Sequence, residues 1–352
     1  MRISLTCGAA AAVVASTLTV ALTAGPAAAD LGGGGGTDTD GGYGAGATHV
    51  TVTGHVSQAL RASVPGPPPL CWWEPISTSW DVDPDDPEAV QKYWDEELRP
   101  YLTGHAAEGT QSVHYERFEQ AIKAHARGED ITWYRLRINQ GAVPGGDGYE
   151  QAAALDAAGC GSGTQPGREG PILVTYDWFP TGQQPEPVVD PLILAEYAYE
   201  VMDLVEPTLD WNPKIGNVAN ASLVNLATWM WVDDVAAVGE RSVTATAGPV
   251  SVTVVATTDG LSVTSPAGTT RCDAEQARRA YAPGASEDAA CTLSFGRASW
   301  GYPSGFPVEA SAVWQATWTS NQGDADTLED KTRGATTYIP VAESQALVNA
   351  VG

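Results

Sequence analysis

The acidic run Asp81-Val82-Asp83-Pro84-Asp85-Asp86 places carboxylates at alternate positions, the spacing with which a calcium loop begins. Asp81, Asp83 and Asp85 are the metal candidates of this chain, and calcium is the ion that their hard oxygen ligands suit. The run departs from the full loop at its sixth position, Asp86 in place of glycine, and at its twelfth, Lys92 in place of glutamate. A solvated turn explains the same residues, because its acids would also favour the N-terminus of the helix that follows. Asp324-Ala325-Asp326 is a shorter echo of the same pattern. All five histidines lie between residues 49 and 125. His114 and His125 fall three helical turns apart, on one face but too far apart for one metal ion. No zinc spacing such as His-Glu-x-x-His occurs.

Nucleophiles fare no better. Gly161-Ser162-Gly163 lacks the strand-turn-helix context of a hydrolase elbow. No glycine-rich loop ending in Gly-Lys-Ser/Thr is present to cradle phosphates. Neither a catalytic residue nor a cofactor site is therefore assigned. A glycosidase needs only two opposed carboxylates, which no linear motif reveals, and 43 Asp and Glu supply many candidates.

The compartment is read from the first 29 residues. Arg2 precedes an uncharged Ala-, Val-, Leu- and Thr-rich run from Cys7 to Ala24, and Ala27-Ala28-Ala29 offers a small-x-small cleavage site. Gly25-Pro26 breaks the run before that site, which favours a cleaved leader over a membrane anchor. Export makes cysteine usage informative. Cys71, Cys160, Cys272 and Cys291 lie beyond the leader, and an even number in an oxidising compartment argues for two disulfides. Four cysteines allow three pairings, of which proximity favours Cys71–Cys160 and Cys272–Cys291. With 18 Lys and Arg against 43 Asp and Glu, the net charge is -25. That field repels phosphate backbones and anionic headgroups, so nucleic acid and bare membrane are poor partners. It also keeps an exported protein dispersed.

The elements that must carry any site follow from pattern. Residues 1–29 are the leader, and the Gly-rich stretch 30–47 reads as a flexible tether. Residues 48–185 read as a mixed α/β region. It has helices from Asp86-Pro87, from Thr110 to Arg127 with Gly128 as the stop, and from Tyr149 to Ala158. Strands are expected at Ile131–Ile138 and Pro171–Phe179. Residues 186–352 open with a helix capped by Asp190-Pro191 and reaching Leu204, and then turn to a period of two. Strands fall at Leu226–Val232, Ser242–Ala247, Pro249–Thr257, Leu261–Ser265 and Cys291–Phe295, with Gly248-Pro249 and Asp259-Gly260 as turns. From Val308 to Thr319 the alternation is clearest: Val308, Ala310, Ala312, Trp314, Ala316 and Trp318 share one face. Trp229, Trp231, Trp314 and Trp318 read as core in preference to a sugar platform.

On Asp190-Pro191, Leu226-Ala227-Thr228-Trp229-Met230-Trp231-Val232, Ser242 to Ala247, the Cys272/Cys291 pair and the Val308–Trp318 strand, residues Pro171 to Val348 resemble a group of uncharacterised secreted actinobacterial proteins. These carry a PKD-like or immunoglobulin-like C-terminal β domain, and the resemblance implies an extracellular protein without an assigned activity. The expected fold class is α+β, a small mixed N-terminal region followed by an antiparallel β-sandwich. The expected function is a secreted, non-catalytic role, structural, adhesive or binding, toward an extracellular protein or glycan. The alternative is a secreted hydrolase using paired carboxylates in the N-terminal half.

Overall fold

The computed structural model describes residues 49–76, 88, 92, 95–96, 110–111, 115–139, 148–161, 173–174 and 176–344. Residues 1–29, read above as a leader, residues 30–47, read as a tether, and the Asp81, Asp83, Asp85 run lie outside them.

Strand β1 (Val50–Gly54) and the short helix α1 (Gln58–Ser63) come first, and the proline run then leads into β2 (Cys71–Ile76). β3 (Thr110–Gln111) precedes helix α2 (Tyr115–Ala126). The helix thus starts later than the Thr110 expected from pattern. Its buried Phe118, Ala121 and Ile122 are the face that periodicity indicated, and Gly128 at φ 78° is the stop. β4 (Ile131–Ile138) has the bounds that its β-branched and aromatic content predicts. Helix α3 (Gly148–Ala157), β5 (Leu173–Val174) and β6 (Tyr176–Pro180) complete this part. β2, β4 and β6 form a three-stranded sheet. Asp177 is buried there, and Arg117 of α2 neutralises it with its Nε 2.8 Å from Oδ1. The same guanidinium reaches the Trp178 carbonyl at 3.0 Å and lies 4.9 Å from the Trp178 ring. Cys71–Cys160 ties β2 to the end of α3, with Cα atoms 5.9 Å apart.

Helix α4 (Pro191–Glu200) begins where Asp190 accepts from the Leu192 amide at 2.8 Å, and it stops short of the expected Leu204. β7 (Leu209–Asn212), β8 (Ser222–Leu223), β9 (Ala227–Val232), β10 (Gly239–Ala247), β11 (Val250–Thr258), β12 (Gly260–Ser265) and β13 (Gly268–Asp273) follow. A five-residue helix α5 (Ala274–Arg278) leads on to β14 (Cys291–Ser294), β15 (Phe306–Ser320), β16 (Ala325–Ile339) and β17 (Val341–Ala342).

The large sheet has seven strands, in the order β1-β10-β11-β15-β12-β13 with β16 along the other edge of β15. Its inner face carries Val243, Val254, Trp314 and Trp318, covered over one half by Leu194, Ala198 and Tyr199 of α4. Over the other half lie α5 and the three-stranded sheet β14-β9-β7. The result is a predominantly antiparallel, two-layer β architecture. Cys272–Cys291 joins β13 of the large sheet to β14 of the small one, with Cα atoms 5.3 Å apart. Both bridges are the ones proximity favoured. Trp229, Trp314 and Trp318 are buried as expected, whereas Trp231 is only partly covered.

Further differences from the sequence reading lie in the large sheet. Asp259-Gly260 is not a reversal. β11 and β12 both run antiparallel to β15 along one edge, Thr257 opposite Gln315 and Ser262 opposite Ser311. The two pieces are one long strand path with a single extra residue, a bulge. β16 was not expected at all, because its inward positions include Lys331 and Arg333 instead of apolar side chains. Lys331 caps the end of α4, its Nζ donating to the Tyr199 carbonyl at 3.0 Å, and Arg333 Nε donates at 3.3 Å to the Leu204 carbonyl in the segment after the helix.

Candidate functional site

The bulge creates the most distinctive surface of the large sheet. Between Gln315 and Ser311, residues Ala312, Val313 and Trp314 have no partner on the β11–β12 edge. On the far side of the same path, β10 ends opposite Thr258 and β13 ends opposite Gly260. The neighbouring strands therefore part at one point, and a depression of about 380 Å³ opens there. Gly260 allows the backbones to approach. Its φ is +141°, and a Cβ would stand 2.0 Å from the Cys272 carbonyl oxygen.

Asp259, Ser262, Arg271, Ser311, Val313 and Gln315 line the depression together with Asp273. The wall Arg271-Cys272-Asp273 is held from three directions. Cys272 is bridged to Cys291 beneath it, and β13 is paired to β12. Asp273 caps α5, accepting from the Gln276 amide at 2.8 Å while Gln276 Oε1 accepts from the Asp273 amide at 3.1 Å. Among the described residues, the Arg271 guanidinium, the Asp259 carboxylate and the Gln315 amide have no side-chain hydrogen bond or ion pair. This sets Arg271 apart from Arg117, Arg137 and Lys331, which are paired to Asp177, Glu74 and Glu200. The depression thus offers a planar cation, an anion and an amide, all uncommitted, beside the apolar Val313. Such a set suits a ligand rich in hydroxyl or amide groups. It does not provide an acid–base pair, since the second carboxylate, Asp273, is committed to its helix cap.

The rest of the outer face is hydroxyl-rich. Thr53, Thr244, Thr253 and Thr319 stand in register across four strands, with Thr244 Oγ1 2.9 Å from Thr253 Oγ1. Thr51, Thr246 and Ser251 form the next row.

Of the residues singled out from sequence, Asp81, Asp83 and Asp85 lie outside the described residues. Asp324 accepts from the Ser320 hydroxyl at 3.0 Å, and Asp326 from the Thr327 amide at 2.8 Å. Among the described residues, no group of three His, Cys, Asp or Glu could hold a metal ion. Also among them, no helix is long and apolar enough to cross a membrane. Sequence reasoning missed Asp259, Arg271 and Gln315 because the β11–β12 bulge, β13 and β15 bring them together. One signal was available. Buried positions are even through β11 and odd in β12, so the alternation changes phase at Asp259-Gly260, as a bulge requires and a hairpin does not.

No family model matches the chain, and no curated protein or solved structure matches it.

Proposed function

We propose that this chain acts outside the cell as a non-catalytic binding or adhesion protein, and that the depression at the strand break is where it engages a polar partner, a glycan or an extracellular protein. The observation that carries the reading is the uncommitted set Asp259, Arg271 and Gln315 on a wall held by a disulfide and a capping box. A binding site gains from donors and acceptors that are fixed before the ligand arrives. Three further features agree with the reading. Two disulfides suit an oxidising compartment. The leader directs the chain to export. The link between the sheets through Cys272 and Cys291 fits an immunoglobulin-like or PKD-like β domain. The buried acid of the N-terminal sheet, Asp177, is neutralised by Arg117, so it lends nothing to paired-carboxylate hydrolysis.

The test is an array of immobilised glycans and extracellular-matrix and cell-wall proteins, probed with the purified chain and with Arg271→Ala. Saturable binding by the wild type, weakened at least tenfold in the variant, is expected. Equal binding by both proteins, or none by the wild type, would overturn the reading.

A further inference from the structure

The turn between β14 and β15 displays a tryptophan that does nothing for the fold. Trp300 is 91% exposed, whereas among the described residues the other large apolar side chains at the surface lie between 41% and 60%. Its support is nevertheless rigid. Ser299 is buried, its amide donates to the Val341 carbonyl at 3.0 Å, and its hydroxyl accepts from the Val341 amide at 3.0 Å. The Tyr302 amide closes on the Ser299 carbonyl at 2.8 Å, and the Gly305 amide on Tyr302 at 2.9 Å. Below the turn, Phe306 stacks on Phe295 with centroids 5.6 Å apart and meets the Tyr302 ring at 4.8 Å. The neighbours leave the indole open. Ser299 points into the protein, and at Gly301 even a Cβ would meet nothing within 4 Å.

We propose that Trp300 is a stacking platform for a pyranose ring of a neutral polysaccharide. The proposal rests on the binding reading above and specifies its ligand class. A pyranose presents a face of C–H bonds that packs on the negative face of an indole, and one open ring suffices for one sugar. A protein interface buries about 800 Å² on each side and needs an apolar patch, which a lone indole flanked by serine and glycine does not supply. A membrane surface would need a basic cluster or a wider apolar patch, and the turn carries one basic residue, Arg297, over the Phe306 ring. The net charge of -25 disfavours both anionic lipid and a second copy of the chain. The same charge disfavours acidic polysaccharides, and the C–H face that stacks on an indole needs no charge on the sugar, so the ligand proposed is an uncharged one.

The test is calorimetric titration of the purified full chain with the hexasaccharides of β-1,4-glucose, β-1,4-N-acetylglucosamine, β-1,3-glucose and β-1,4-mannose. At least one should bind. Trp300→Ala should weaken it tenfold or more, Trp300→Phe should retain part of the affinity, and neither should move the thermal midpoint. The proposal fails if none of the four binds or if Trp300→Ala binds as the wild type does. It fails too if the wild type, and not Trp300→Ala, sediments with phosphatidylcholine vesicles or dimerises, since the indole would then belong to a membrane or to a second copy. Binding that survives Trp300→Ala and is lost in Arg271→Ala would sink this proposal and leave the broader binding reading standing.

Discussion

Tyr199 and Lys331 link the helix to the large sheet, and each is shifted by that position. The Tyr199 hydroxyl donates to the Trp314 carbonyl at 3.1 Å, and Lys331 Nζ lies 4.0 Å from the Tyr199 ring centroid. Burial, above all, pushes the Tyr199 phenol from 10.0 up to about 12, while burial pulls the Lys331 ammonium below its ordinary 10.5. The folded chain holds the tyrosine proton more tightly than the unfolded chain. Its contribution, about 2 to 3 kcal/mol, is therefore complete below pH 10 and lost as pH rises through about 12. Lys331 works with the opposite sign, adding stability as pH rises toward 10.5, so the loss between pH 10 and 12 belongs to Tyr199. Urea denaturation at about pH 10.5 and about pH 11.5 should show part of that loss, and Tyr199→Phe should remove most of it. A second residue-scale expectation concerns β15. Trp314 is fully buried, so Trp314→Ala should cost about 3 to 5 kcal/mol. Gln315→Ala, on the exposed face, should stay within about 0.5 kcal/mol. Because the Trp314 indole N–H is buried without a partner among the described residues, Trp314→Phe should cost clearly less than the alanine change. Similar losses at positions 314 and 315 would show that the facing of the strand is wrong.

At the scale of elements, legibility depended on which face carried apolar side chains. β15 could be read because burial on one face imposes a period of two on its sequence, and β4 from its β-branched and aromatic content, since Trp133 and Tyr134 are buried in succession. β16 could not, since Lys331 and Arg333 point inward and spend their charge on carbonyls at the end of α4 and in the segment after it. They also guard a long edge strand against pairing with another chain. β13 was hidden because its inward side includes Thr270 and Cys272, too few apolar residues to set a pattern. The helix starting at Asp190-Pro191 was legible from its cap, but its end was not, because no glycine or proline marks Glu200. The candidate site was the least visible part: Arg271 and Gln315 carry no local motif, and only the change of phase at Asp259-Gly260 hinted at it. That bulge makes an element-scale prediction. Gly260→Ala should cost more than about 2 kcal/mol, because its Cβ meets the Cys272 carbonyl at a φ that L residues avoid. Gly128→Ala, with a positive φ but nothing within 4 Å, should cost about 1 kcal/mol. Chemical denaturation of the two variants separates these outcomes. Comparable costs would mean that the strands do not close in at the break.

For the whole molecule, the two halves share one continuous core. β1 pairs with β10 of the large sheet, and Leu70 donates from its amide to the Val188 carbonyl at 2.7 Å. Buried Trp73 and Leu136 belong to the same apolar cluster as Leu194 and Val254. On that frame the chain presents a hydroxyl-rich outer face, a depression with unspent polar groups and a displayed indole, the features on which the proposed binding role rests. The most direct test measures affinity and product formation together, on whichever ligand the array identifies, for the wild type and for Asp259→Asn. The expected result is a dissociation constant raised by about tenfold or less, the scale of one hydrogen bond to a charged group, and no product from either protein. Product formed by the wild type and lost in Asp259→Asn by orders of magnitude would contradict it, because that is how a catalytic carboxylate behaves.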